Sequence, residues 1–291
     1  MIIWRFIDGR AGHDQQTLGL LQALQSLVDV DVFELHVRQL QCQPWHWFTR
    51  QFVAGKNLPA PDILLGAGHA THWPMLVAQR SWQGRTIVLM KPSFPVGWFD
   101  LCVMPEHDRP ADRMNILVTQ GVLNATRSQG LHASDRSLIL LGGIARKYDW
   151  DSQAMQIQIQ QLLNNRPEQQ WSVIVSPRTP SDMLDRLAVM QSLTVLDPAT
   201  PDLAQLMPDF GEIFVSEDSV SMVYEALSCG AAVGLLAVPR KRSGRVSRGV
   251  DMLVRRHSLF APGALQSSQS RLPLNEALRC AQWIKKHWGR Q

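Results

Sequence analysis

The sequence predicts an α/β protein made of two doubly wound, Rossmann-like halves that face a cleft. Three observations predict it. Short apolar runs alternate with segments of helical periodicity, the alternation stops once in a polar stretch near the middle, and it then restarts in the same style. Apolar runs of four to eight residues separated by amphipathic segments read as βαβ units, which demand a mostly parallel sheet. With 291 residues, 45% hydrophobic and 19% charged, the chain has the composition of a folded protein and room for two cores.

In the first half, "IIWRFI" (2–7), "VDVFEL" (30–35), "DILLGA" (62–67), "TIVLM" (86–90) and "DLCVM" (100–104) read as strands. "DQQTLGLLQALQSL" (14–27) and "THWPMLVAQRSW" (71–82) read as intervening helices. After "NILVTQ" the segment 121–137 is polar and aperiodic, which predicts a linker. The second half restarts with "LILLGG" (138–143), a helix over 151–165, "WSVIVS" (171–176), a helix from Pro180, "LTVL" (193–196), "EIFVS" (212–216), a further helix and "AAVGLL" (231–236). "LNEALRCAQWIKKHW" (274–288) has helical spacing with basic residues at its end. The expected boundaries are 1–125, a linker over 126–137, 138–273, and a terminal helix in 274–291 that packs back on the first half.

Composition narrows the function classes. No apolar run approaches the ~20 residues needed to span a bilayer. The start "MIIWRFIDGR" has no leader character, so a cytoplasmic protein is expected. Four scattered cysteines without a C-x-x-C pair argue against a disulfide framework or zinc site. The formal net charge is +4, and residues 239–257 hold seven Arg or Lys against the single acid Asp251. That stretch reads equally as a solubilising loop or as a contact for anions; no nucleic-acid-binding motif accompanies it, so nucleic acid is not an expected partner.

Ligands of open parallel sheets bind beyond the carboxyl ends of the strands, and each half opens with a glycine turn there. "FIDGRAGHDQQ" follows the first strand and "LLGGIARKYDW" the first strand of the second half. Glycine permits tight turns and close approach, and the following helix offers unpaired N–H groups. Neither turn matches a dinucleotide or P-loop fingerprint. In "VSEDSVSMVYEALSCGAAVGLL" (215–236), Ser216, Asp218 or Ser219 is placed to cap a helix. Asp218, Ser221 and Glu225 then share one face at i, i+3 and i+7, while Val220, Val223, Tyr224 and Leu227 pack on the sheet. The pattern fits ordinary capping. Capping is the favoured reading of the pattern alone, and the other is a diphosphate on the Ser219 and Ser221 hydroxyls and free N–H groups, with Glu225 on a ribose diol.

The stretch resembles the donor-binding segment of GT-B glycosyltransferases. More narrowly, "DGRAGHDQQTLGL" (8–20), "GAGHATH" (66–72), "FDLCVMPEHD" (99–108), "GGIARKYDW" (142–150), "SPRTP" (176–180) and "DSVSMVYEALSCGAAV" (218–233) resemble the family of the plant mitochondrial-fission ELM proteins and their bacterial relatives. The match spreads over most of the chain. One departure concerns Gly68-His69-Ala70-Thr71, where many relatives have G-R-R-T. The resemblance implies a GT-B-like fold and a glycosyltransferase that takes a nucleotide-sugar as co-substrate and passes its sugar to a glycan or glycolipid of the cell envelope. A nucleotide-sugar epimerase or hydrolase, or a non-enzymatic nucleotide-binding scaffold, is the alternative on the same fold.

Under the glycosyltransferase hypothesis, Gly142, Gly143, Ser219, Ser221 and Arg178 meet the leaving diphosphate, with Asp218 and Glu225 completing the donor side. His13 is the expected base and Asp8 its orienting partner or an acceptor ligand. Gly12, Gly68, His69 and Asp108 are assigned to the acceptor; His69, Asp108 and His72 are the alternatives for the base. D-x-D strings at 29–31 and 149–151 read as strand entry and helix cap, so neither a metal nor another cofactor is expected. "PWHWFTRQF" (44–52) puts Trp45, Phe48 and Phe52 at helical spacing. Core packing is the favoured reading, and peripheral contact with the inner face of an anionic membrane is the other.

Overall fold

The computed structural model describes every residue except 127–129, 198–202, 243, 257–258, 262, 270–273 and 290–291, and not the side chains of 245, 246, 268 and 269. Parts of the expected linker, of the basic stretch and of the end of the second half therefore lie outside the described residues. The chain divides into two compact units, Met1–Ala125 with Glu276–Gln291, and Thr126–Asn275. No helix among the described residues is long and apolar enough to cross a membrane.

The first unit runs β1 (Ile2–Ile7), α1 (Ala11–Gln25), β2 (Asp31–His36), α2 (Trp45–Thr49), β3 (Ile63–Ala67), α3 (His69–Trp82), β4 (Arg85–Leu89), β5 (Leu101–Pro105) and β6 (Ile116–Thr119). The six strands are all parallel, in the order β2-β1-β3-β4-β5-β6. Both faces are covered, so β3 and β5 are buried at every position. Period-two geometry sends alternate residues to opposite cores. Ile3, Leu65 and Ile87 meet Leu20 and Leu24 of α1, while Trp4, Leu64 and Val88 meet Met75 and Leu76 of α3.

The second unit runs β7 (Ala133–Leu141), α4 (Ser152–Asn165), β8 (Gln170–Val175), α5 (Ser181–Ala188), β9 (Leu193–Val195), α6 (Leu203–Leu206), β10 (Phe210–Ser216), α7 (Val220–Cys229), β11 (Ala232–Leu236), α8 (Arg245–Arg255) and β12 (Ser267–Gln269). Its sheet order is β12-β11-β10-β7-β8-β9, parallel except for β12 against β11. Ile139 and Leu141 pack with Met155 and Ile159 of α4 and Met183 and Leu187 of α5. Phe214 lies in the same core, its ring 5.9 Å from that of Trp171.

Helix α9 (Glu276–Trp288) belongs to the first unit, where Cys280, Ala281 and Ile284 join the α1-side core. Several elements differ from the sequence reading: α6 and β12 have no counterpart in it, and β7 and α8 depart from it. β7 begins at Ala133, inside the expected linker; Ser134 and Asp135 are exposed there, so the strand lacks an apolar signal until it enters the core at Ser137. The basic stretch contains α8, whose Val250 and Leu253 are buried beneath an arginine-rich sequence.

Truncating Ile284 removes a fully buried side chain from the first unit's core. Ile284→Ala is expected to destabilise the chain by about 2–4 kcal/mol, measured by urea unfolding; a change below about 0.5 kcal/mol would mean that α9 does not pack there.

Candidate functional site

Strand order reverses beside the first strand of each sheet. In the first unit the chain moves from β1 outward to β2 and returns to β3 on the other side; in the second it moves from β7 to β8 and β9 and returns to β10. Helices then leave opposite faces and a crevice opens beyond the carboxyl ends of the two diverging strands, where open α/β sheets bind ligands. The residues at those ends are Asp8–Gly9 and Gly68–His69 in the first unit, and Gly142–Gly143 and Ser216–Ser219 in the second.

At the first crevice the His13 Nδ1 lies 2.8 Å from Asp8 Oδ2. Asp8 is buried, and its other oxygen accepts the Arg10 N–H at 3.0 Å. The carboxylate accepts, so Nδ1 carries the imidazole proton and Nε2 is left with a lone pair. The His13 side chain is 19% exposed, so that lone pair is held in a largely enclosed setting. Gly68 makes the arrangement possible: its φ of +87° favours glycine, and a Cβ there would overlap His13 Nδ1 and Asp8 Oδ2.

Beside it, Ser93 Oγ stands 2.7 Å from His69 Nδ1 and 3.0 Å from His72 Nδ1. One hydroxyl proton serves two ring nitrogens, so one imidazole donates to Ser93 while the other accepts from it. His72 is buried, with a neighbouring Phe99 ring 5.5 Å away, and its Nε2 has no partner. A buried, unpartnered N–H is rarer than an unpartnered lone pair, which favours the proton on His72 Nδ1. Ser93 then donates to His69, and the exposed His69 ring presents Nε2–H outward. Burial, followed by the nearby His69 and His13, pulls His72 down to about 4, so it is neutral at pH 7.

The second crevice is closed by its own side chains. Gly142 N–H donates to Ser216 Oγ at 2.7 Å and Gly143 N–H to Asp218 Oδ2 at 2.9 Å. The expectation that these two amides meet a diphosphate is therefore corrected: the carboxylate and hydroxyl following β10 already occupy them. A Cβ on Gly142 would strike the Asp218 carboxylate, and one on Gly143 (φ +148°) the Arg178 carbonyl. Asp218 is fully enclosed, with Oδ1 lacking a partner, and burial raises its carboxyl above the usual range despite the Ser216 and Gly143 bonds and Arg178 Nη1 at 3.3 Å.

Helix α7 starts at Val220, so Asp218 lies in the preceding turn and does not share a helical face with Ser221 and Glu225. Ser219 is the N-cap residue yet makes no side-chain cap bond. The first-turn N–H groups of α7 have no acceptor within the helix, and Ser221 beside them is exposed while Glu225 is half-buried one turn further in. The Arg178 side chain is 42% exposed, held by Asp218 and the Ile144 carbonyl.

Other expected residues fall elsewhere. Asp108 follows β5, two strands from the reversal, with its carboxylate enclosed and 3.8 Å from His107. Gly12 is in the first turn of α1, where its carbonyl accepts from Gln16. Asp151 caps α4 by accepting the Gln153 and Ala154 N–H groups, and Asp31 opens β2. Phe52 is buried, whereas Trp45 and Phe48 are exposed, which corrects the core reading for those two. Arg240 in the basic stretch is claimed by Glu217 and Asp251 at 2.7 and 2.6 Å. Ser93 went unread and Ser216 was read only as a possible helix cap, because serines after strands carry no further signal until their distant partners are known. A cavity of about 860 Å³ lined by Met1, Leu27, Arg85, Lys285 and Trp288 sits at the opposite, amino ends of the first unit's strands, away from these groups.

The chain belongs to the mitochondrial fission ELM1 family, whose sequence model matches residues 11–288. No curated protein sequence matches it. Among solved structures it is similar to a Listeria monocytogenes protein named as a UDP-N-acetylglucosamine 2-epimerase, with a TM-score of 0.56, 13% identity, and coverage of 99% of this chain and 89% of the other. Acinetobacter baumannii MurG matches with a TM-score of 0.53 and 13% identity over 99% and 93% of the two chains. Phytolacca americana UGT2, complexed with UDP-2-fluoro-glucose and pterostilbene, matches with a TM-score of 0.53 and 9% identity over 99% and 91%. At such identities the likeness establishes the fold, that of GT-B glycosyltransferases and nucleotide-sugar epimerases.

Because His72 is lowered to about 4 from an ordinary 6.5, the unfolded chain binds the extra proton between those values. Its contribution to stability is complete above pH 6.5 and is lost as the pH falls toward 4. His72→Phe is expected to flatten the fall in melting temperature between pH 7 and pH 4.5; an unchanged slope would contradict a buried neutral imidazole. Gly68→Ala is expected to cost about 1–3 kcal/mol, read by chemical unfolding.

Proposed function

We propose that the protein is a glycosyltransferase that moves a sugar from a nucleotide-diphosphate donor to a hydroxyl acceptor. Residues of the second unit hold the donor and residues of the first activate the acceptor. The observation that carries the reading is the Asp8–His13 couple at the strand-order reversal, supported by a fold that its neighbours use with nucleotide-sugars.

In this reading the acceptor O–H donates to His13 Nε2, and the proton passes to that nitrogen as the oxygen attacks the anomeric carbon. The C1–O bond to the diphosphate breaks, and the diphosphate leaves with the bonding pair. Asp8 keeps His13 in the tautomer that can take the proton and stabilises the imidazolium formed. The first-turn N–H groups of α7 and the Ser221 hydroxyl meet the diphosphate, Arg178 adds positive charge, and Glu225 accepts from the ribose. Asp218 takes no direct part; it holds the Gly143 turn against β10. His13 accepts and His69 donates, which suits a hydroxyl-rich acceptor, and a glycan or glycolipid is the acceptor in this reading. These cations and dipoles do the work that a divalent metal does in metal-dependent transferases, and EDTA is expected to leave turnover unchanged.

Incubation with UDP-, GDP- and CMP-sugars, with and without glycan acceptors, tests the reading. Transfer should require an acceptor, fall about 10²–10⁴-fold in His13→Ala and about 10²-fold in Asp8→Asn, with nucleotide affinity unchanged in both. Equal donor consumption without acceptor would instead indicate an epimerase or hydrolase, and binding without turnover a scaffold.

A further inference from the structure

Helix α2 leaves two large aromatic side chains uncovered, Trp45 at 58% and Phe48 at 80% exposure. Three residues apart, they share a face. The helix is anchored from its other side. The Trp47 ring lies 5.9 Å from that of Trp73 and carries the Arg80 guanidinium at 5.0 Å, while Phe52 packs on Trp4 and Phe6 inside the core. Ring contacts continue from Trp73 to Phe94 at 6.4 Å and from Phe94 to Trp98 at 5.4 Å, and Trp98 is 51% exposed. Phe94 also stands 6.2 Å from the His72 ring. An aromatic path thus joins the exposed helix to the imidazole cluster.

The charge along the segment that carries the helix has one sign. From Leu35 to Pro61 there is no Asp or Glu, while Arg38, Arg50 and Lys56 are present, all three exposed. Rigidly held Trp and Phe among cations, with no acid to repel phosphate, match the headgroup region of an anionic bilayer, where aromatic rings sit at the interface and each nearby cation gains from the surface potential. We propose that this face docks the protein on an anionic membrane surface, Trp45 and Phe48 entering the interface and Arg50 and Lys56 meeting lipid phosphates. Docking rests on this surface alone. Its consequence, that a lipid-linked acceptor reaches His13 and His69 along the aromatic path, rests on the proposed function.

Flotation of the full chain with vesicles of phosphatidylcholine, and of phosphatidylcholine with one quarter phosphatidylglycerol, tests this. The protein should float with the anionic vesicles, and W45S/F48S, folded as judged by an unchanged melting temperature, should bind at least about tenfold less. R50Q/K56Q should weaken binding in low salt and match the wild type in high salt. No flotation, or flotation that W45S/F48S leaves intact, would overturn the proposal. So would a wild-type dimer that W45S/F48S converts to a monomer without any vesicle binding, since the face would then serve self-association. Titration of UDP against the same variants separates the two readings: docking with no nucleotide binding would sink the transferase assignment and leave the membrane face standing.

Discussion

The reversal of strand order beside β1 and beside β7 is the constraint on which the site depends. A parallel sheet must send each connection back across one of its faces, and where two connections leave in opposite directions the strand ends cannot be covered by either helix. Backbone amides, carbonyls and short polar side chains collect in the opening. Gly68 shows how little room the chain has there, since its positive φ and the nearby His13 and Asp8 atoms both exclude a side chain.

Each unit uses its own opening in a different way. The first lines it with imidazoles whose protons are assigned by a buried carboxylate and a shared serine hydroxyl, leaving one ring that accepts and one that donates. The second fills it with Asp218, whose carboxylate ties the turn after β7 to the turn after β10. A carboxylate buried among amides with one oxygen unpartnered is costly, and burial accordingly raises its proton affinity. With the Ser216 bond to Gly142, the interaction fixes the glycine turn and occupies both of its amides, which is why the proposed donor site rests on the start of α7 and on Arg178 instead.

Local pattern carried much of this into the sequence. Strands buried on both faces are continuous apolar runs, so β3, β4, β5 and β11 were legible to within a residue or two. Asp8 and His13 were readable as a couple because a strand end and the first turn of the next helix bring residues five apart together. Asp218 and Gly143 are 75 residues apart and Ser93 and His72 are 21 apart, so neither pairing has a local signature. The serine-and-acid cluster at 216–221 looked like an open anion cradle because nothing in its spacing says that Asp218 turns inward. Helix α8 was hidden for a different reason: its arginines outweigh the few apolar residues that bury it, so charge masked periodicity.

The most direct measurement is a titration of uniformly ¹⁵N-labelled protein with a UDP-sugar, followed by backbone amide shifts. The account predicts that the largest changes fall at the 176–179 turn and along the first two turns of α7, from Ser221 to Glu225. Changes confined to the Met1–Arg85–Trp288 cavity, or none at millimolar ligand, would contradict the claim that the strand-order reversals carry the site.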